Sequence, residues 1–173
     1  MIMETHRLAG DGSRVVLPLP HTEEGTVVDG FVGAVRNLVD RANRKAPLVV
    51  FVFHDSIIVA SPAGLTVTDL NAANFKAMKK VHDQFAAIAP NVSSEELAAR
   101  LSTIVRVTVI RTDSVVTAFA DTVPVFRAVR VHVQTATQGT IVFAGGGPAK
   151  RDLAAMLKTV LGPRFTDRTG GPG

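Results

Sequence analysis

Residues Leu48 to Ala60, LVVFVFHDSIIVA, are apolar on both sides of a single polar break, and no other stretch limits the fold more. A strand with one face in water alternates apolar and polar residues. A run that is apolar at odd and even positions alike must be covered on both faces. Such a run is one central strand or a hairpin of two, and Asp55-Ser56 is where it could turn. The tip lacks the glycine that favours two-residue loops. The hairpin is the preferred reading.

The rest of the chain divides by period. Arg14 to Leu19 reads as a strand, placed at an edge because Pro18 has no N–H to give. Val27, Val28, Phe31, Val35, Leu38, Val39 and Ala42 recur at helical spacing and predict a first helix from about Thr26 to Arg44, ended by Pro47. A second helix follows Thr68, with Leu70, Ala73, Ala77, Val81, Phe85 and Ile88 inward and Pro90 as its stop. Ser93-Ser94-Glu95-Glu96 reads as a capping box opening a short third helix that buries Leu97, Leu101 and Ile104. Arg106 to Arg111, Ser114 to Ala120, Phe126 to Thr135 and Thr140 to Ala144 form an antiparallel meander. A last helix runs from about Ala149 to Leu161, opened by Pro148 and closed by Gly162-Pro163.

These elements predict an α+β fold with a largely antiparallel sheet of about six or seven strands and about four helices, mostly on one face. Residues 1–13 read as an N-terminal arm, 14–163 as a single domain and 164–173 as a flexible tail. A chain of 173 residues suits one domain with a real core. It has no cysteine, which excludes disulfides and thiolate metal sites. No apolar run approaches the roughly 18 residues of a membrane span, and the N-terminal Glu4, Arg7 and Asp11 argue against a leader. A cytoplasmic, soluble protein is expected.

The most suggestive local feature is Gly145-Gly146-Gly147-Pro148-Ala149-Lys150-Arg151, a glycine turn between a strand and a helix. Backbone N–H groups and the positive end of the helix would favour an anion there. Lys150 and Arg151 in the first turn are repelled by that same end, and a bound anion would relieve the conflict. The run matches neither the Walker spacing nor G-x-G-x-x-G, and a plain turn whose glycines take positive φ angles is the competing reading.

His54-Asp55-Ser56 holds the residue types of a hydrolase triad. Neighbours on a strand point to opposite faces, however, and no nucleophile elbow is present. Over the hairpin alone, the string resembles the His-Asp hairpin of family A nucleic-acid polymerases, where an acid at the tip holds a metal. This chain is far too short for a polymerase and offers no second metal acid, so a polar hairpin tip is the reading kept. His6, His21, His82 and His132 show no metal-ligand spacing, and no metal or other cofactor is expected.

Arg130, His132 and Gln134 alternate with Val129, Val131 and Val133, which predicts a strand with one polar face. Arg106 and Thr108 are expected to continue that face on a neighbouring strand. Lys76, Lys79 and Lys80 form a second basic patch on a helix. The net charge of +4 permits an acidic partner without demanding one.

No paired carboxylates, metal cluster or nucleophile elbow is evident. The leading expectation is therefore a non-enzymatic binding or assembly module, a homodimer. Such a module would be an accessory factor of a larger complex, contacting protein or nucleic acid through the basic surface. The alternative is a small enzyme that holds a phosphorylated or carboxylated metabolite at Gly145 to Gly147, with His132 or His54 moving protons.

Overall fold

A computed structural model of the protein describes residues 30–40, 47–63, 72–123, 128–145 and 147–169. The strands are β1 (Phe31–Asp40), β2 (Pro47–Phe53), β3 (Ser56–Ser61), β4 (Arg106–Arg111), β5 (Val115–Val123), β6 (Ala128–Thr135), β7 (Gly139–Gly145) and β8 (Phe165–Arg168). The α-helices are α1 (Ala72–Ile88), α2 (Ser94–Ser102) and α3 (Gly147–Leu161). The fold is α+β: one eight-stranded sheet in the order β4-β3-β2-β1-β7-β6-β5-β8. Every pairing is antiparallel except that of β8 with β5.

The apolar run at Leu48 to Ala60 is a hairpin, β2 and β3, turning at His54-Asp55. Each of its two faces enters a different core. Leu48, Val50, Val52, Ile57 and Val59 pack toward α3, together with Leu153, Leu157 and Leu161. Val49, Phe51, Phe53, Ile58 and Ala60 pack toward α1 and α2, against Met78, Phe85, Leu97 and Leu101.

The predicted helix from Thr26 to Arg44 is corrected: its described part is β1. Register shifts between Phe31 and Gly33 and between Val35 and Leu38 mark extra residues in the strand. Those insertions put Val32, Val35 and Leu38 on the α3 side at intervals of three. Phe31 and Ala34 pack on the other side, also three apart. A twice-bulged central strand thus imitates a helical period. Asn37, at φ 63°, accommodates the second irregularity, a conformation that asparagine tolerates better than most residues.

Two other boundaries move. Phe165–Arg168, expected within the flexible tail at 164–173, pairs in parallel with β5 as an edge strand. Ile104, expected to be buried, is 52% exposed beyond the end of α2. In α1 the buried stripe is Met78, Val81 and Phe85, while Ala73 and Ala77 face out. Half of the capping box forms: the Ser93 side chain accepts from the Glu96 amide, while the Glu96 carboxylate turns outward to Arg100. The strand at Arg14 to Leu19, the arm, and His6 and His21 lie outside the described residues. Among the described residues no helix is long and apolar enough to cross a membrane.

One connection shapes the sheet. Strands β4 and β5 stand first and seventh in it, yet only Thr112–Ser114 joins them. Six strand spacings in a flat sheet would separate them by about 29 Å. The four Cα steps from Arg111 to Val115 reach about 14 Å at most. The sheet must therefore curl. Ile110 of β4 and Val115, Ala118 and Phe165 of the far end share one core with α3, so the concave side faces that helix.

Hydrogen bonds close the seam. Arg164 donates to the carbonyls of Thr112 and Val115 at 2.6 and 3.0 Å. Gln138 Nε2 donates to the Val109 carbonyl at 3.3 Å.

The glycines of this scaffold are not equivalent. A Cβ on Gly145 would lie 2.5 Å from the Asn37 carbonyl oxygen, a backbone atom of β1. A Cβ on Gly33 would meet Met156 Cε at 2.5 Å, the free end of a flexible side chain. Gly145→Ala is expected to cost about 1–3 kcal/mol of stability, and Gly33→Ala less than about 1 kcal/mol. Urea unfolding of both variants checks this, and equal costs would refute it.

Candidate functional site

Directly paired residues of a sheet share a face, so the register assigns every side chain of this sheet to one side or the other. On the convex side, α1 packs on β1 and β2 and α2 on β3 and β4. The convex core ends at β1. No described helix packs on the convex face of β7, β6, β5 and β8.

That face carries the predicted polar alternation. Val131 and Val133 are fully buried on the concave side, while Arg130 and His132 are half-buried and Gln134 exposed on the convex side. Their cross-strand partners on β5 are Asp121, Phe119 and Thr117. The convex residues of β7 are Thr140, Val142 and Ala144, and those of β8 are Thr166 and Arg168.

Within this face five side chains form one cluster. Arg130 binds Asp121 in a two-pronged ion pair, Nε to Oδ1 at 3.0 Å and an Nη to Oδ2 at 2.8 Å. His132 stacks on Phe119, with ring centroids 4.3 Å apart and planes 10° from parallel. The Arg168 guanidinium sits 4.4 Å from the centroid of the same Phe119 ring. His132 Nε2 lies 3.3 Å from Asp121 Oδ1. It is buried but not aligned for a hydrogen bond, and it has no other partner among the described residues.

Burial alone would raise the Asp121 carboxyl. The hydrogen bond and charge of Arg130, with His132 close by, outweigh burial and hold the carboxyl below its ordinary value. Neighbouring α1 carries its own paired acid. Hydrogen bonds from Lys79 and His82 hold the Asp83 carboxyl down at about 2, and Arg36 lies 3.9 Å from it.

The structure separates several residues that the sequence suggested together. Arg106 is not beside Arg130: four strands intervene between β4 and β6. Arg106 also pairs with Ser61 on the concave side. Lys76, Lys79 and Lys80 are exposed on α1. Lys150 is buried at 3% exposure on the inward stripe of α3, with Leu153, Leu157 and Leu161, so it is no surface contact. Arg151 is exposed on the same helix. Asp121, Phe119 and Arg168 were missed. The alternation of Ala118 and Ala120 with Phe119 and Asp121 was the available signal for the first two.

The glycine turn is partly explained by packing. Gly145 permits the close approach to β1 described above. Neither Gly145 nor Gly147 has a positive φ; among the described residues the glycines that do are Gly139 and Gly162. The positive-φ reading is thus corrected at both positions, and Gly146 lies outside the described residues. His132 faces away from α3 across the sheet, so the proton-moving histidine of the enzyme reading does not meet this turn.

His54-Asp55-Ser56 does not form a triad. Asp55 Oδ2 accepts from Ser94 Oγ at 2.7 Å and Oδ1 from Ser56 Oγ at 3.2 Å. The carboxylate thereby ties the hairpin tip to the first residue of α2, where the helix dipole favours negative charge. Backbone contacts add to the tie: Thr112 N donates to the Asp55 carbonyl at 2.9 Å, and Thr112 Oγ1 to the His54 carbonyl at 2.9 Å. Among the described residues no three His, Asp or Glu side chains come together to hold a metal.

Asp121→Asn breaks the two-pronged pair and is expected to cost about 1–3 kcal/mol at pH 7. A carboxyl with a lowered folded-state pKa adds stability fully above its ordinary value of 3.8 and loses it as pH falls through the lowered value. The gap between wild type and variant should therefore close in acid. Urea midpoints from pH 7 down to pH 2 measure it, and a gap that is constant or widens would refute the assignment. No protein-family model matches this chain, and the search of curated proteins found no match to it.

Proposed function

We propose that the protein is a non-enzymatic assembly module that binds a second copy of itself through the convex face of β7, β6, β5 and β8. The observation that carries this reading is the unequal covering of one face. The β1–β4 half lies under α1 and α2, while no described helix packs on the other half.

The chemistry of that half suits protein better than nucleic acid. Both sides of the Phe119 ring are engaged, by His132 and by Arg168, which leaves no free ring face for a base. Arg130 is held by Asp121 and is not free for phosphate. The cations grouped as a nucleic-acid surface (Arg106, Arg130, Lys150 and Arg151) lie on different faces or are buried. A face that carries acidic, basic and small residues side by side can instead pack on its own copy across a two-fold axis. The charged fraction of 20% is below the usual level of about 25%, which fits a chain that shares part of its surface.

Light scattering coupled to size exclusion, at tens of micromolar, should give twice the mass of the chain. Thr140→Arg adds a charge at an exposed position of this face and should return the mass to one chain while leaving the far-UV circular dichroism spectrum unchanged. A monomeric wild type, or a dimer indifferent to Thr140→Arg, would overturn the proposal. So would co-purified nucleic acid, read as 260 nm absorbance, whose binding weakens steeply with salt.

A further inference from the structure

We propose, resting on the dimer reading above, that His132 makes this self-association depend on pH: the dimer holds while the imidazole is neutral and separates when it is charged.

Histidine is the side chain whose charge ordinarily changes between pH 5 and 8. Among the described residues His132 is the histidine on the convex face of β7, β6, β5 and β8. Three strands supply its surroundings. From β5, Phe119 stacks on the ring and Asp121 Oδ1 stands 3.3 Å from Nε2. Along β6 its charged neighbour on this face is Arg130. From β8, Arg168 lies over the same Phe119 ring. Its partner on β7 is Val142, flanked on this face by Thr140 and Ala144, and none of these titrates. No described helix packs there.

The decisive atom is Nε2, which is buried without a hydrogen-bond partner. A neutral ring can leave this nitrogen unprotonated, whereas an imidazolium carries a donor on both nitrogens. The one carboxylate beside it is already shared: Asp121 Oδ1 accepts from Arg130 Nε and Oδ2 from an Arg130 Nη. A proton added at His132 therefore brings a charge with no counter-ion of its own.

Among the described side chains of this face, Asp121 stands against Arg130 and Arg168, an excess of one positive charge. Charging His132 raises the excess to two. In a two-fold contact the face meets its own copy, so the excess meets itself, and the product of the facing charges rises about fourfold. Each imidazolium would also lose water on association. Asp121 and Phe119 act on the ring in the separate chain and in the dimer alike, so they do not offset the difference. A dimer then binds up to two protons fewer than two separate chains, and acid favours separation. The Asp121 carboxyl is held below its ordinary 3.8 and that of Asp83 at about 2, so both stay ionised over this range.

Sedimentation equilibrium of the full chain from pH 8 to pH 5.5, at constant ionic strength, reads the dimer dissociation constant. It should rise at least about tenfold as pH falls, over the range in which the far-UV circular dichroism is unchanged. His132→Gln removes the titrating group and should leave a constant that varies less than about twofold. His82→Gln, on α1, should keep the wild-type response.

Should His132→Gln lose the dimer altogether, dilution calorimetry of the wild type near pH 6.5, in two buffers of different ionisation enthalpy, gives a second reading. Separation should take up protons. A wild-type constant that is flat with pH or tightens in acid would overturn the pH control and leave the dimer standing. The same holds for separation without proton uptake, for an associating His132→Gln that keeps the wild-type response, or for a His82→Gln that loses it. A wild type that is monomeric at every pH would refute the dimer itself, and the pH control with it.

Discussion

The short link Thr112–Ser114 is the constraint from which the architecture follows. It joins strands that are first and seventh in the sheet, and a flat sheet cannot satisfy it. Once the sheet curls, side chains from both of its ends meet on the concave side, and α3 fills the space between them. The crossover from β7 through α3 to β8 is long enough to pass over β6 and β5, which is what a parallel connection requires. Arg164 then holds the seam by satisfying two carbonyls at the junction.

Curling also gives the two faces of the sheet different coverings. The concave face is closed by one helix. Among the described residues the two helices on the convex face stop at β1, and the rest of that face carries a mixed layer of charged, aromatic and small residues. The charges there have partners within the chain: Asp121 with Arg130, and Arg168 over Phe119. In the proposed dimer, such pairing would lower the cost of burying the face, because the groups need not be ordered or neutralised on association. His132 differs, since its Nε2 is buried beside Asp121 without a hydrogen bond.

Much of the fold was legible from local chemistry. The β2–β3 hairpin, the Ser93 cap, the strand alternation at Arg130 to Gln134 and the glycine stop of α3 each depend on a few neighbouring residues, and each is found. Strand β1 was not legible, because two bulges convert a period of two into intervals of three, and that pattern is shared with a helix. Strand β8 was missed because its four residues gain their pairing from β5, far away in sequence, and carry little apolar signal of their own. At the candidate sites, the alternation on β6 identified Arg130 and His132. Placing Arg106 beside them failed because consecutive meander strands were assumed to be neighbours, whereas β4 and β5 are distant in sheet order.

The residues alone determined the α+β class, the doubly covered hairpin and the tension between Lys150, Arg151 and a positive helix end. All of these rest on backbone preference, period and charge within a few positions. Only the tertiary structure decided strand order, which face each side chain joins, and which cations meet. Those outcomes depend on pairings between segments far apart in the chain, and a one-residue change of register would send every side chain of a strand to the opposite face.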